Sequence, residues 1–63
     1  MKEFPYPAQL NGRHPLGQTK ITVLGKEDDD ETGWFFNCRL EETRGTAYPV
    51  GTIVRAEPYE VSR

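Results

Sequence analysis

The feature that most limits the possible folds is a strict alternation of side chains near the middle of the chain. In the run Trp-Phe-Phe-Asn-Cys-Arg-Leu-Glu at residues 34–41, every second residue is apolar and the residues between are mixed in character. Successive side chains of a β-strand point to opposite faces of a sheet. The alternation therefore predicts a strand whose core face is formed by Trp34, Phe36, Cys38 and Leu40.

A second strand is predicted directly before this one. Residues 19–24, Thr-Lys-Ile-Thr-Val-Leu, are rich in β-branched side chains and place Ile21 and Val23 on one face. Between the two strands lie Gly25 and Gly33, which bracket five consecutive acidic residues. Because so much charge needs solvent, the sequence predicts an antiparallel hairpin over residues 19–41 with an acidic loop at 26–32.

The two ends of the chain supply the remaining predicted elements. Three prolines and two glycines exclude a helix from residues 1–18, which we expect to pack on the sheet as a proline-containing N-terminal arm with a short edge segment. Asn11-Gly12 is a two-residue turn signal within that arm. Residues 51–62 are expected to form two further short strands, separated by Pro58.

The predicted elements together define an all-β fold. We expect a small antiparallel sheet of four or five strands, strongly bent or closed into a small open barrel. Residues 49–54, Pro-Val-Gly-Thr-Ile-Val, resemble the glycine-turn entry to a strand in small barrels of the Src-homology-3 and ribosomal-protein kind. A chain of 63 residues can bury one core at most, so residues 1–63 are predicted to be a single domain. The expected core is Trp34, Phe36, Leu40, Ile21, Val23 and Val54.

Composition narrows the cellular setting. Cys38 is the one cysteine in the sequence and cannot form an intrachain disulfide. No apolar run approaches the roughly 20 residues that a membrane span requires, and the N-terminus lacks the apolar stretch of a secretory signal. We therefore expect a cytoplasmic protein without a membrane partner.

Few residues have the chemistry of catalysis or cofactor binding. His14 and Cys38 are the one conceivable catalytic dyad, but His14 lies in a proline-rich segment and is expected in an exposed loop. The register of Cys38 predicts a buried, unreactive thiol. The contiguous aspartates lack the alternate spacing of a calcium loop. We therefore expect no enzymatic activity, no catalytic residues, no metal site and no cofactor.

The face opposite the predicted core is the expected binding surface. Phe35, Asn37 and Arg39 lie on it, with Arg55 on a neighbouring strand and the acidic loop residues Asp28, Asp29 and Asp30 at its end. The net charge of −2 conceals a segregation of charge along the chain. Five of the ten acidic residues are consecutive, and the rest of the chain has eight basic and five acidic residues. Aromatic and arginine side chains together are typical of protein-binding hot spots. An equal alternative is that Phe35 covers a small cluster under the N-terminal arm, against Phe4 or Tyr6.

These features predict a small protein-binding module, an inhibitor or accessory factor that occupies a partner's surface. The acidic loop favours a protein partner with a basic patch, and a second copy of the chain is a further candidate. The alternative is a small barrel that binds single-stranded nucleic acid, with Phe35 as a stacking platform beside Arg39 and Arg55. The sequence pI near 5.2 argues against that alternative.

Overall fold

The computed structural model describes residues 3–31 and 33–63. Within them, five antiparallel strands form a strongly curled half-barrel in the order β4-β3-β2-β1-β5. The strands are β1 (Tyr6–Leu10), β2 (Lys20–Asp29), β3 (Gly33–Leu40), β4 (Ile53–Ala56) and β5 (Val61–Ser62), with a single 3₁₀ turn at Pro58–Glu60 before β5. The predicted all-β class, with its small bent antiparallel sheet, is confirmed.

The N-terminal arm contributes more than the predicted edge segment, because β1 lies between β2 and β5. Leu10 donates its backbone N–H to the carbonyl oxygen of Thr19 at 3.0 Å. Alternation along an antiparallel ladder then turns the nitrogen of Pro7 away from β2. Since β5 pairs with Gln9 and Leu10 and not with Pro7, the missing N–H of proline costs no ladder bond.

The core occupies the concave face of the half-barrel. The fully buried apolar side chains come from β1, β2, β3 and β4, and they are Leu10, Ile21, Val23, Cys38, Leu40 and Ala56. The predictions for Ile21, Val23 and Leu40 are confirmed. Phe36 and Val54 are partly buried and pack against this cluster.

The prediction that Trp34 belongs to the core is wrong, since this side chain is 36% exposed. The cause is the unequal length of the strands. β1 begins opposite Val23 and β4 ends opposite Phe36, so the residues of β2 and β3 beyond those positions have no third strand beside them. We call residues 24–31 and 33–35 the projecting hairpin. Trp34 is in register with the core residues of β3, but it lies where the sheet has only two strands.

The acidic loop is also shorter than predicted, because β2 continues to Asp29 and residues 26–29 pair with β3. A β-bulge between Val23 and Gly25 shifts the register by one residue. It therefore places Lys26 on the concave side with Phe36, instead of on the convex side. The strand accommodates charged residues because β3 supplies cross-strand partners for them, such as Asn37 for Glu27 and Trp34 for Lys26.

Candidate binding surfaces

The convex face brings together most of the residues predicted to bind a partner. Asn37 and Arg55 are directly paired across β3 and β4, and Phe35 and Arg39 lie on the same face as Asn37. The Arg55 guanidinium also reaches a carboxylate oxygen of Asp29 at 3.4 Å. Five of the seven predicted site residues thus share one surface.

Phe35 is not an exposed platform on this surface. Its side chain is only 8% exposed, and the guanidinium carbon of Arg55 lies 4.8 Å from the ring centroid. The cover is therefore an arginine of β4, and not the N-terminal arm as the alternative proposed. Phe4 and Tyr6 lie on the concave side, where they pack against the core.

The remaining polar groups of the convex face are matched to one another. Asn37 donates to a carboxylate oxygen of Glu27 at 2.8 Å. Glu41 accepts from the Thr22 hydroxyl at 2.7 Å and from Arg39 at 2.9 Å. The hydrogen bond from Thr22, followed by that from Arg39, lowers the pKa of Glu41 below its usual value. The convex face is therefore largely a self-neutralised network.

The three aspartates do not form one cluster. Asp28 pairs across the hairpin with Trp34, whereas alternation directs Asp29 to the convex face beside Arg55. Asp30 lies in the turn that follows β2. Asp29 also accepts the backbone N–H of Glu31 at 2.7 Å, which helps to shape this turn.

A second surface, which the sequence did not reveal, is a row of four aromatic rings on the concave side. Tyr6 stacks on Phe4 with centroids 5.6 Å apart. Phe36 meets Phe4 at 6.3 Å and Trp34 at 5.0 Å, both edge to face. Phe4 and Tyr6 belong to the arm that was predicted to pack on the sheet, but their spacing in the chain does not indicate which face of the sheet they join. We call these four residues the aromatic row.

Each end of the aromatic row carries a cation. The Lys26 amine lies 4.8 Å from the ring centroid of Trp34, and the Arg63 guanidinium lies 3.7 Å from that of Tyr6. Among the described residues, neither cation forms a salt bridge. The row therefore joins apolar surface with two cations that form no ion pair with a carboxylate of residues 3–31 or 33–63.

The two residues considered as a catalytic dyad, Cys38 and His14, are both at least partly buried. Cys38 is fully buried, and its burial raises the pKa of the thiol from 9.0 to about 11. His14 is half-buried, contrary to the expected exposed loop. Its Nδ1 accepts the N–H of Leu16 at 2.9 Å, and its Nε2 lies 3.1 Å from the carbonyl oxygen of Arg55. His14 thus ties the loop after β1 to β4.

Across residues 3–31 and 33–63, no three His, Cys, Asp or Glu side chains are grouped so as to hold a metal ion. In the same residues, no helix has the length and apolar character needed to cross a membrane. No protein-family model, curated protein or solved structure matches the chain.

Proposed function

We propose that this protein is a small protein-binding module that occupies a partner's surface, as an inhibitor or accessory factor does, through its projecting hairpin. The observation that carries the proposal is Trp34. It is a large apolar side chain, 36% exposed, at the part of the sheet that extends beyond its neighbouring strands. Tryptophan is among the residues most enriched at the energetic centres of protein interfaces.

The setting of Trp34 favours tight binding. The ring is supported by Phe36 at 5.0 Å and contacted by Lys26 at 4.8 Å. A side chain already held in place loses little rotamer freedom when a partner covers it, so more of the contact energy remains as affinity. A projecting hairpin with such an anchor is suited to a concave pocket on the partner.

The charge beside Trp34 indicates what surrounds that pocket. Asp28 is its cross-strand neighbour, and Asp30 and Glu31 are exposed in the adjacent turn. These carboxylates would attract a basic rim and raise the association rate. The arginines of the predicted site contribute less, because Arg39 and Arg55 are already paired with carboxylates of this chain.

Single-stranded nucleic acid is the second candidate ligand. It is supported by the cations Lys26 and Arg63 beside the aromatic row, an arrangement that can bind bases and phosphates. Two features favour protein instead. The Trp34 and Phe36 rings meet at an interplanar angle of 83°, so they do not present parallel faces to successive bases. Asp28, next to Trp34, would repel phosphate.

The test is affinity capture from host lysate with wild type and Trp34→Ala, each with and without nuclease. We expect a protein that wild type retains and Trp34→Ala loses, independently of nuclease. Tyr59→Ala is the matched control, because Tyr59 is an exposed aromatic outside the hairpin. Retention of the same protein by Trp34→Ala, or loss with Tyr59→Ala alone, would remove the hairpin from the interface.

Charge separates the two candidates further. Replacing the three aspartates at 28–30 with Asn should slow association with a protein partner, and the effect should shrink as salt rises because exposed charges are screened over roughly 8 to 10 Å. The same variant should bind a mixed-sequence single-stranded oligonucleotide more tightly if nucleic acid is the ligand. We expect no oligonucleotide binding by either protein at low salt. Clear binding by both would favour the second candidate.

A further inference from the structure

Asn11, directly after β1, forms hydrogen bonds that hold residues 59–62 against β1. Its backbone N–H donates to the carbonyl oxygen of Glu60 at 2.9 Å. Its side-chain Nδ2 donates to the carbonyl oxygen of Tyr59 at 2.8 Å and reaches the hydroxyl of Ser62 at 3.5 Å. One residue thus makes three contacts with the segment that contains β5, a strand of only two residues.

The same residue is placed for reaction with its own backbone. Asn11 precedes Gly12, which has no side chain to obstruct its amide nitrogen. No atom outside the adjacent residues lies within 4 Å of the position that a Cβ of Gly12 would take. Within the described part of the chain, the Gly12 N–H donates no hydrogen bond. The Arg13 N–H donates to Oδ1 of Asn11 at 2.9 Å, which polarises the side-chain carbonyl.

We propose that Asn11 is a site of spontaneous deamidation that releases β5. The Gly12 nitrogen attacks Cγ of Asn11 and forms a C–N bond, while the Cγ–Nδ2 bond breaks. Nδ2 leaves as ammonia, carrying the proton that Gly12 loses, and a five-membered imide remains. The Arg13 N–H stabilises Oδ1 as negative charge develops there. Water, the sole co-reactant, then opens the imide to aspartate or isoaspartate without any change of oxidation state.

Either product removes contacts that hold β5. A carboxylate has no N–H to donate, so its oxygens would face the carbonyl oxygen of Tyr59. Isoaspartate also lengthens the backbone by one methylene after Cα of residue 11, which changes the path of the turn that follows β1. Val61, which packs against the core, and Arg63, which covers Tyr6, would both lose their support. The modification therefore reaches one end of the aromatic row.

The first test measures the reaction in folded protein aged in mildly alkaline buffer. Peptide mass spectrometry should find the mass gain of amide-to-acid conversion at Asn11, with isoaspartate among the products. Gly12→Ala is the matched control, because the open space at Gly12 lets the fold accept a methyl group that hinders the attack. We expect it to react several-fold more slowly. Equal rates in the two proteins, or an unchanged Asn11 after the denatured chain has largely converted, would overturn the proposal.

The second test measures the consequence with Asn11→Asp. Thermal melting should occur at a lower temperature than in wild type, and hydrogen exchange at the amides of residues 61–63 should be faster. Gln9→Glu is the control, because it makes the same amide-to-acid change at an exposed position of β1. If Asn11→Asp matches Gln9→Glu in both measurements, the release of β5 is refuted.

Discussion

Truncation of the two inward-pointing aromatic residues of β3, Trp34 and Phe36, tests the effect of the unequal strand lengths on burial. Phe36→Ala removes a half-buried ring that packs on the core and forms edge-to-face pairs with Phe4 and Trp34. Such pairs contribute about 0.5 to 1.5 kcal/mol each beyond their burial. We expect a loss of about 3 kcal/mol, at the lower end for Phe→Ala because the ring is not fully buried. The whole domain has about 3 to 9 kcal/mol of stability.

Trp34→Ala should lower the free energy of unfolding much less than Phe36→Ala does, although the sequence alternation predicts the same core role for both residues. Trp34 loses one ring pair and is already 36% exposed, so we expect about 1 to 2 kcal/mol. Phe36→Leu, which keeps aliphatic packing but not the ring pairs, should lie between the two alanine variants.

The assay is urea denaturation followed by circular dichroism, because Trp34 is the chain's one tryptophan and its fluorescence is lost in the variant. An unfolding midpoint of Trp34→Ala at or below that of Phe36→Ala would refute the reasoning. A Phe36→Ala protein as stable as wild type would refute the register of β3 itself.

Three further predictions concern groups outside the aromatic row. Because burial raises the pKa of Cys38 to about 11, its thiol should react slowly with a labelling reagent until the protein is denatured. Fast labelling of the native protein would contradict this burial. The contribution of the buried Cys38 thiol to the free energy of unfolding should be complete below pH 9.0 and decline as pH rises towards about 11. Thr22→Val should raise the pKa of Glu41 towards its ordinary value, because the hydrogen bond from Thr22 is the largest cause of the lowered pKa. NMR titration of the Glu41 carboxyl measures this pKa, and an unchanged value in the variant would contradict the assigned cause. Arg55→Ala should uncover Phe35 and lower the free energy of unfolding by about 0.5 to 1 kcal/mol, whereas an unchanged urea midpoint would show that the arginine is not a structural cover.

The candidate site was only partly predictable from the sequence. Alternation correctly placed Phe35, Asn37 and Arg39 on one face, and β-branched residues located Arg55 on the neighbouring strand. The exposure of Phe35 was not predictable, because it depends on a guanidinium contributed by another strand. The bulge before Gly25 was equally invisible to alternation, although it decides which face each later residue of β2 occupies.

The sequence by itself determined the all-β class, the strands around Val23 and Cys38, and the side chains of β3 that point inward. These follow from a periodicity of two and from the breaking of helices by proline and glycine, which are local properties of the chain. Tertiary structure alone decided which inward-pointing side chains are covered. Leu40 and Trp34 share a face of β3, yet Leu40 is fully buried and Trp34 is not. At Leu40, β3 has β2 on one side and the segment leading into β4 on the other, whereas at Trp34 it has β2 alone. Burial depends on which strands lie alongside, and a strand's own sequence does not specify its neighbours.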